Sequence, residues 1–180
     1  MCNQPVSKKI IIILVTFCAI LAVVAAFIVF WDYDRVIDVS KLDLSNMTIQ
    51  KGTSELDGQI RFNIDNIDQS AKNTVVLQGW LFKNNEEMAI VNNQIVLRDT
   101  TDDTYMKIST ERVMRPDLDE VFGNGHQYQN GGFYAKISKS YLKKDHDYEV
   151  CVLYKSEMSG NIANNNILVL SGSFFEGGKL

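Results

Sequence analysis

The chain is poor in the residues that most often do chemistry. Among 180 residues there are two histidines, His126 and His146, and three cysteines, Cys2, Cys18 and Cys151. No His-x-x-x-His, Cys-x-x-Cys or helical His/Glu pair occurs, so no metal site of the zinc type is expected. There is no Gly-x-Ser-x-Gly elbow and no Gly-Lys-Ser/Thr phosphate loop. No Lys/Arg-rich block follows Lys9, which argues against nucleic acid as a partner. Internal repeats and low-complexity tracts are also missing. Only Cys151 lies beyond the N-terminal apolar region, so the remainder of the chain cannot form an internal disulfide. Small extracellular domains of animals usually carry some. The pattern favours a bacterial envelope protein in which Cys151 is a small core residue rather than a nucleophile. Sortases resemble this layout superficially but need an Arg after the catalytic Cys, and none follows Cys151. No catalytic residue and no cofactor is expected.

What is present first is a long apolar run. Ile10–Trp31, IIIILVTFCAILAVVAAFIVFW, holds no charged residue in 22 positions. As a helix it would span about 33 Å, enough for a hydrocarbon core of roughly 30 Å. Lys8 and Lys9 precede it, while Asp32, Asp34, Arg35 and Asp38 follow. The positive-inside rule then puts the N-terminus in the cytoplasm and the remainder outside. The run is too long for a cleaved signal peptide. Phe17 before Cys18 does not suit a lipoprotein. The expected layout is a cytoplasmic tail (1–9), a transmembrane anchor (10–31), a stalk or first strand (32–56) and an extracytoplasmic β domain (57–180).

The aromatic fraction of 10%, the apolar fraction of 46% and the net charge of -4 are those of a folded chain. In QIRFNIDNI, Gln59–Ile67, Ile60, Phe62 and Ile64 alternate with Arg61, Asn63 and Asp65, the pattern of a half-buried strand. Further strands are expected at Thr74–Phe82, Gln94–Arg98, Thr104–Ser109, Gly132–Ser138, Tyr148–Lys155 and Ile167–Phe174. Asn, Asp and Gly clusters separate most of them. About seven or eight strands predict an all-β, antiparallel Greek-key sandwich. One short helix is expected after Pro116, with Leu118, Val121 and Phe122 on its apolar face. The connection from Thr110 to Gly131 is read as a crossover between the two sheets.

Five segments in order, LQGW at 77–80, IVLRD at 95–99, RPDLDEVF at 115–122, GGFYAKI at 131–137 and YEVCVLY at 148–154, resemble a class of bacterial Ig-like β-sandwich modules. Those modules occur on surface proteins and beside surface-polysaccharide glycosyltransferases. The resemblance covers about Val75–Tyr154 and implies a fold rather than a chemistry.

The residues worth following are few. Trp80 is read either as core or as a sugar-stacking platform with Tyr105, Tyr128 or Tyr134. His126 and Tyr128 lie in GNGHQYQNG, the best exposed candidate for a binding loop. Arg115 and Asp117 are expected to hold the backbone of the Thr110–Gly131 crossover by hydrogen bonds to its carbonyls and amides, Phe122 to be buried, and Gly132 and Phe133 to open a strand. Asp99, Asp102 and Asp103 form either a solvated hairpin tip or a calcium loop. Two functions follow: a non-enzymatic spacer or protein-interaction module of the envelope, or a carbohydrate-binding accessory in cell-wall or surface-polysaccharide assembly.

Overall fold

The computed structural model describes residues 8–33, 40–52, 60–86, 88, 91–156 and 166–178. The chain divides into two compact units, Met1–Val36 and Ile37–Leu180. The first contains helix α1, Lys8–Tyr33, 26 residues long. It covers the uncharged run and extends two residues past either end of it. Its described side chains, Lys8, Lys9 and Leu14–Ala26, are all exposed. Counted on those described residues, no helix is long and apolar enough to cross a membrane.

The second unit is mostly strand. Its strands are β1 (Ser40–Lys41), β2 (Thr48–Lys51), β3 (Ile60–Asp68), β4 (Thr74–Lys83), β5 (Val91–Asp99), β6 (Thr104–Lys107), β7 (Thr110–Val113), β8 (Gly132–Ser138), β9 (Asp147–Ser156) and β10 (Asn166–Glu176). They form a six-stranded sheet, β1-β6-β5-β9-β10-β2, and a four-stranded sheet, β3-β4-β8-β7. All pairings are antiparallel except β2 with β10.

Period-2 alternation explains the layering. On β4, Val75, Leu77 and Leu81 point to one side, as do Phe133, Ala135 and Ile137 on β8. They share one buried cluster with Ile95 and Leu97 of β5 and with Val150, Val152 and Val169 of β9 and β10. The six-stranded sheet is apolar on its other face too. Val96, Tyr105, Cys151, Leu153, Leu168 and Leu170 form a second cluster there. This is why YEVCVLY shows an almost unbroken apolar pattern: Val150, Val152 and Tyr154 serve one face, Cys151 and Leu153 the other.

The cover for that second face comes from the segment read as a stalk or first strand. Residues 40–51 begin at one edge of the sheet, with Ser40 opposite Lys107, and finish at the other, with Thr48 opposite Ile167. Between them Leu42 is buried, and Leu44 and Met47 pack on the same cluster. Burying one leucine contributes about 1.5–3 kcal/mol. The segment is a strap of the folded unit.

Among the described residues there are ten strands, against the expected seven or eight; the short β1, β2 and β7 are the additional ones. The 110–131 connection is also not the crossover. The chain passes between sheets at Ile108–Ser109, from β6 to β7. It then joins β7 to its own neighbour β8 through helix α2, Pro116–Phe122.

Candidate functional site

The site grows from the outward side of the four-stranded sheet. Strand neighbours point to opposite faces, so Gln78, Trp80 and Phe82 of β4 turn away from Leu77 and Leu81. The register places Arg61 beside Phe82, Asn63 beside Trp80, and Gly132 on Trp80's other flank. Trp80 is half-buried and stacks on Phe82, with ring centroids 5.5 Å apart and planes 18° apart. Gly79 makes room for Phe133 rather than for the adjacent Trp80 ring. A side chain at Gly79 would meet the Phe133 ring, on the opposite face. At Gly132 a side chain would strike the Val113 carbonyl and the Arg115 stem, so the glycine lets Arg115 lie over the sheet.

Helix α2 and the chain after it cover one end of this face. Pro116 starts the helix, and Asp117 and Asp119 sit in its first turn, where negative charge is favoured. Leu118 is buried, and Phe122 is half-buried against Trp80 and Phe82. Val121, expected on the same apolar face, is 69% exposed. So short a helix on the rim offers only its i, i+4 row, Leu118 and Phe122, to the core.

Arg115 also differs from expectation. Its guanidinium does not hold backbone. It makes a two-pronged ion pair with Asp117, with Nε and Nη2 at 2.9 and 2.7 Å, and reaches Asp65 on β3. The Asp117 partner outweighs desolvation and raises the Arg115 pKa, while Asp117 is held below its ordinary value. The backbone clamp is Asp119 instead. Its Oδ1 accepts from the amides of Tyr128 and Gln129.

GNGHQYQNG is therefore folded back rather than projecting. The Arg115 amide donates to the Gln129 carbonyl at 2.7 Å, and the Met88 amide to that of Gln127 at 3.3 Å. Tyr128 is 2% exposed and stacks on Phe82 at 4.2 Å, with His126 stacked beyond it at 5.9 Å.

Where this loop meets the β4 turn there is an open cleft of about 530 Å³, within the range of small-molecule sites. Arg61 of β3, Asn84 and Asn85 of the turn, and Glu120, Val121, Phe122, Asn124, His126 and Tyr128 line it. The Arg61 guanidinium lies over the Phe122 ring at 5.3 Å. The Tyr128 hydroxyl, at the base, accepts from the Asn85 amide at 2.9 Å. Asn85 and Asn124 both adopt left-handed backbone, φ 61° and 41°, which asparagine tolerates well.

A second polar group sits at the β5–β6 and β8–β9 turns. Asp99, Asp102 and His146 bring their ligand atoms within 4.8 Å of one another. Asp99 is 1% exposed. It accepts from the amides of Thr101 and Asp102 and from His146 Nδ1, 2.9 Å away. Burial pushes its carboxyl up, but the His146 and amide bonds prevail and its pKa is lowered. The Lys143 ammonium is bound to Asp102, and Asp103 pairs with Arg98 at 2.9 Å. A calcium ion would have to displace that ammonium, so the cluster fits an ion-paired turn better than a cation site.

The five aromatic and imidazole candidates thus separate. His126 and Tyr128 line the cleft, and Trp80 abuts it through Phe122. Tyr134 is on the same sheet, opposite Gln78. Tyr105 is buried in the cluster on the other sheet's outer side, so no platform joins it to Trp80. Gly132 and Phe133 begin β8, and Phe133 lies in the core. Cys151 is fully buried, and burial raises its thiol pKa, which suits packing rather than nucleophilic attack. Sequence reading missed Arg61, Asn84, Asn85, Glu120 and Asn124. Their only signal was ordinary surface polarity. No family model, curated protein or solved structure matches the chain.

Proposed function

We propose that the protein is a single-pass, membrane-anchored, extracytoplasmic Ig-like β-sandwich that serves a bacterial envelope as a non-enzymatic interaction module. The strand order carries this reading. With β3 taken as A, the four-stranded sheet reads A-B-E-D, and β6-β5-β9-β10 reads C′-C-F-G, the Ig arrangement. A tyrosine corner supports it independently. Tyr148 begins the F-equivalent strand, and its hydroxyl accepts from the Lys143 amide five residues upstream, at 2.8 Å.

The anchor and its orientation rest on the uncharged Ile10–Trp31 run, the Lys8-Lys9 flank and the helix that covers both. A non-enzymatic role is supported by how the reactive groups are used: Cys151 is packed away, and Asp99, Asp102 and His146 are tied up with one another and with Lys143. Protease applied to intact cells without an outer barrier should remove the β unit and leave α1 in the membrane. A protected β unit, or a mature N-terminus inside the apolar run, would refute the topology.

The carbohydrate-binding reading has its own support in the cleft, whose amides and aromatic ring are the groups that sugars use.

A further inference from the structure

We propose that the cleft between the β4 turn and the loop after α2 is a binding site for an uncharged sugar ring. Charge is the first support. Arg61 and Glu120 are one cation and one anion on the same cleft, and among the described residues neither makes an ion pair. Their charges cancel, so a net ionic ligand gains little. Both groups instead suit hydroxyls, Arg61 as donor and Glu120 as acceptor, and charge-assisted bonds of this kind are stronger than neutral ones.

The second part is polarity. Asn85 and Asn124 add side-chain amides that both donate and accept. A ligand rich in hydroxyls, each a donor and an acceptor, satisfies such a mixed lining. The third part is the apolar wall. Phe122 lines the cleft with the Arg61 guanidinium over its ring at 5.3 Å and is braced by Trp80 and Phe82, so a fixed apolar group stands directly beside a hydroxyl donor. The fourth is the base. Tyr128 is 2% exposed and its hydroxyl accepts from the Asn85 amide, so the hydroxyl proton has no acceptor among the described residues. A buried hydroxyl lining a cleft with a proton to give is a ligand-facing donor.

The inference rests on the carbohydrate-binding reading and deepens it, because it supplies that reading with a site and a class of sugar. Its test is separate from the topology. Purified full-length chain in detergent is titrated calorimetrically with three neutral probes, maltohexaose, cellohexaose and chitohexaose, and with polygalacturonate as the anionic control. At least one neutral probe should bind saturably. Arg61→Ala and Glu120→Gln should each weaken it about tenfold, equivalent to about 1.4 kcal/mol, and Glu120→Gln should do so with an unchanged melting temperature. Failure of every neutral probe at millimolar concentration would overturn the assignment. So would binding that both variants keep, or a preference for polygalacturonate. Cleavage of a bound probe, seen by mass spectrometry, would overturn the non-enzymatic reading and leave the cleft assignment standing.

Discussion

Two polar regions of this molecule use similar residues to opposite ends. At the Asp99 corner the charges are turned on one another: Asp99 with His146, Asp102 with Lys143, Asp103 with Arg98. At the cleft, Arg61 rests on an aromatic ring and Glu120 stands at the rim, with no ion pair between either and any described residue. At Asp99 the difference comes from burial, while Asp102 and Asp103 are exposed and pair at the turn surface. A carboxylate that is 1% exposed must be compensated on the spot or the fold does not form. Groups facing an open cleft are solvated and need no internal partner, so they remain available to a ligand. Charge density alone does not distinguish a site from a joint; the direction in which the charges are spent does.

The sharpest way to break the comparison is at Asp99. Asp99→Ala should cost about 3 kcal/mol, because it strands His146 and two turn amides, and it should leave the cleft intact. Thermal melts of the β unit followed by near-UV circular dichroism would measure it. A near-neutral result would mean the corner is solvated like the cleft.

Phe122→Ala comes next. Phe122 belongs to both worlds, packed on Trp80 and Phe82 yet facing the cleft. Since it is half-buried, about 2 kcal/mol is expected rather than the 3–5 of a fully buried phenylalanine. Full-size destabilisation in the same melts would place it in the core and remove the sugar wall.

Acid should act on the corner through Asp99. The Asp99 pKa is lowered in the folded chain, so its contribution to stability is fully present above the unfolded value of about 3.8. It is lost as pH falls through the lower folded value. Acid unfolding below about pH 4 should therefore lose part of its steepness in Asp99→Asn. Equal acid profiles for the variant and the parent would contradict the pairing.

The smallest effect is expected at the cleft rim. Glu120→Ala should change stability by under about 0.5 kcal/mol, as exposed substitutions do. A larger loss would show that Glu120 is a structural partner after all.

Much of this fold was legible in the chain. The alternation in QIRFNIDNI foretold β3 within a residue, and Pro116 with Asp117 foretold the start of α2. The site was less so. His126 and Tyr128 were picked for their residue types. The companions that make a cleft of them come from β3 and from the β4 turn, about 40 to 65 residues away in the chain.

By itself the sequence determined what is periodic or contiguous: an uncharged run that forms one helix, strands at nearly their true places, and a glycine at 132 that opens a strand. Tertiary structure alone decided which side of each strand meets what. It put Trp80 and Tyr105 on different sheets, made the 40–51 segment a strap, and exposed Val121 while burying Leu118. The reason is physical. Periodicity records that a face is apolar, because hydration acts on each side chain locally. The partner that covers the face is chosen by packing between segments far apart in the chain, and no local pattern carries that information.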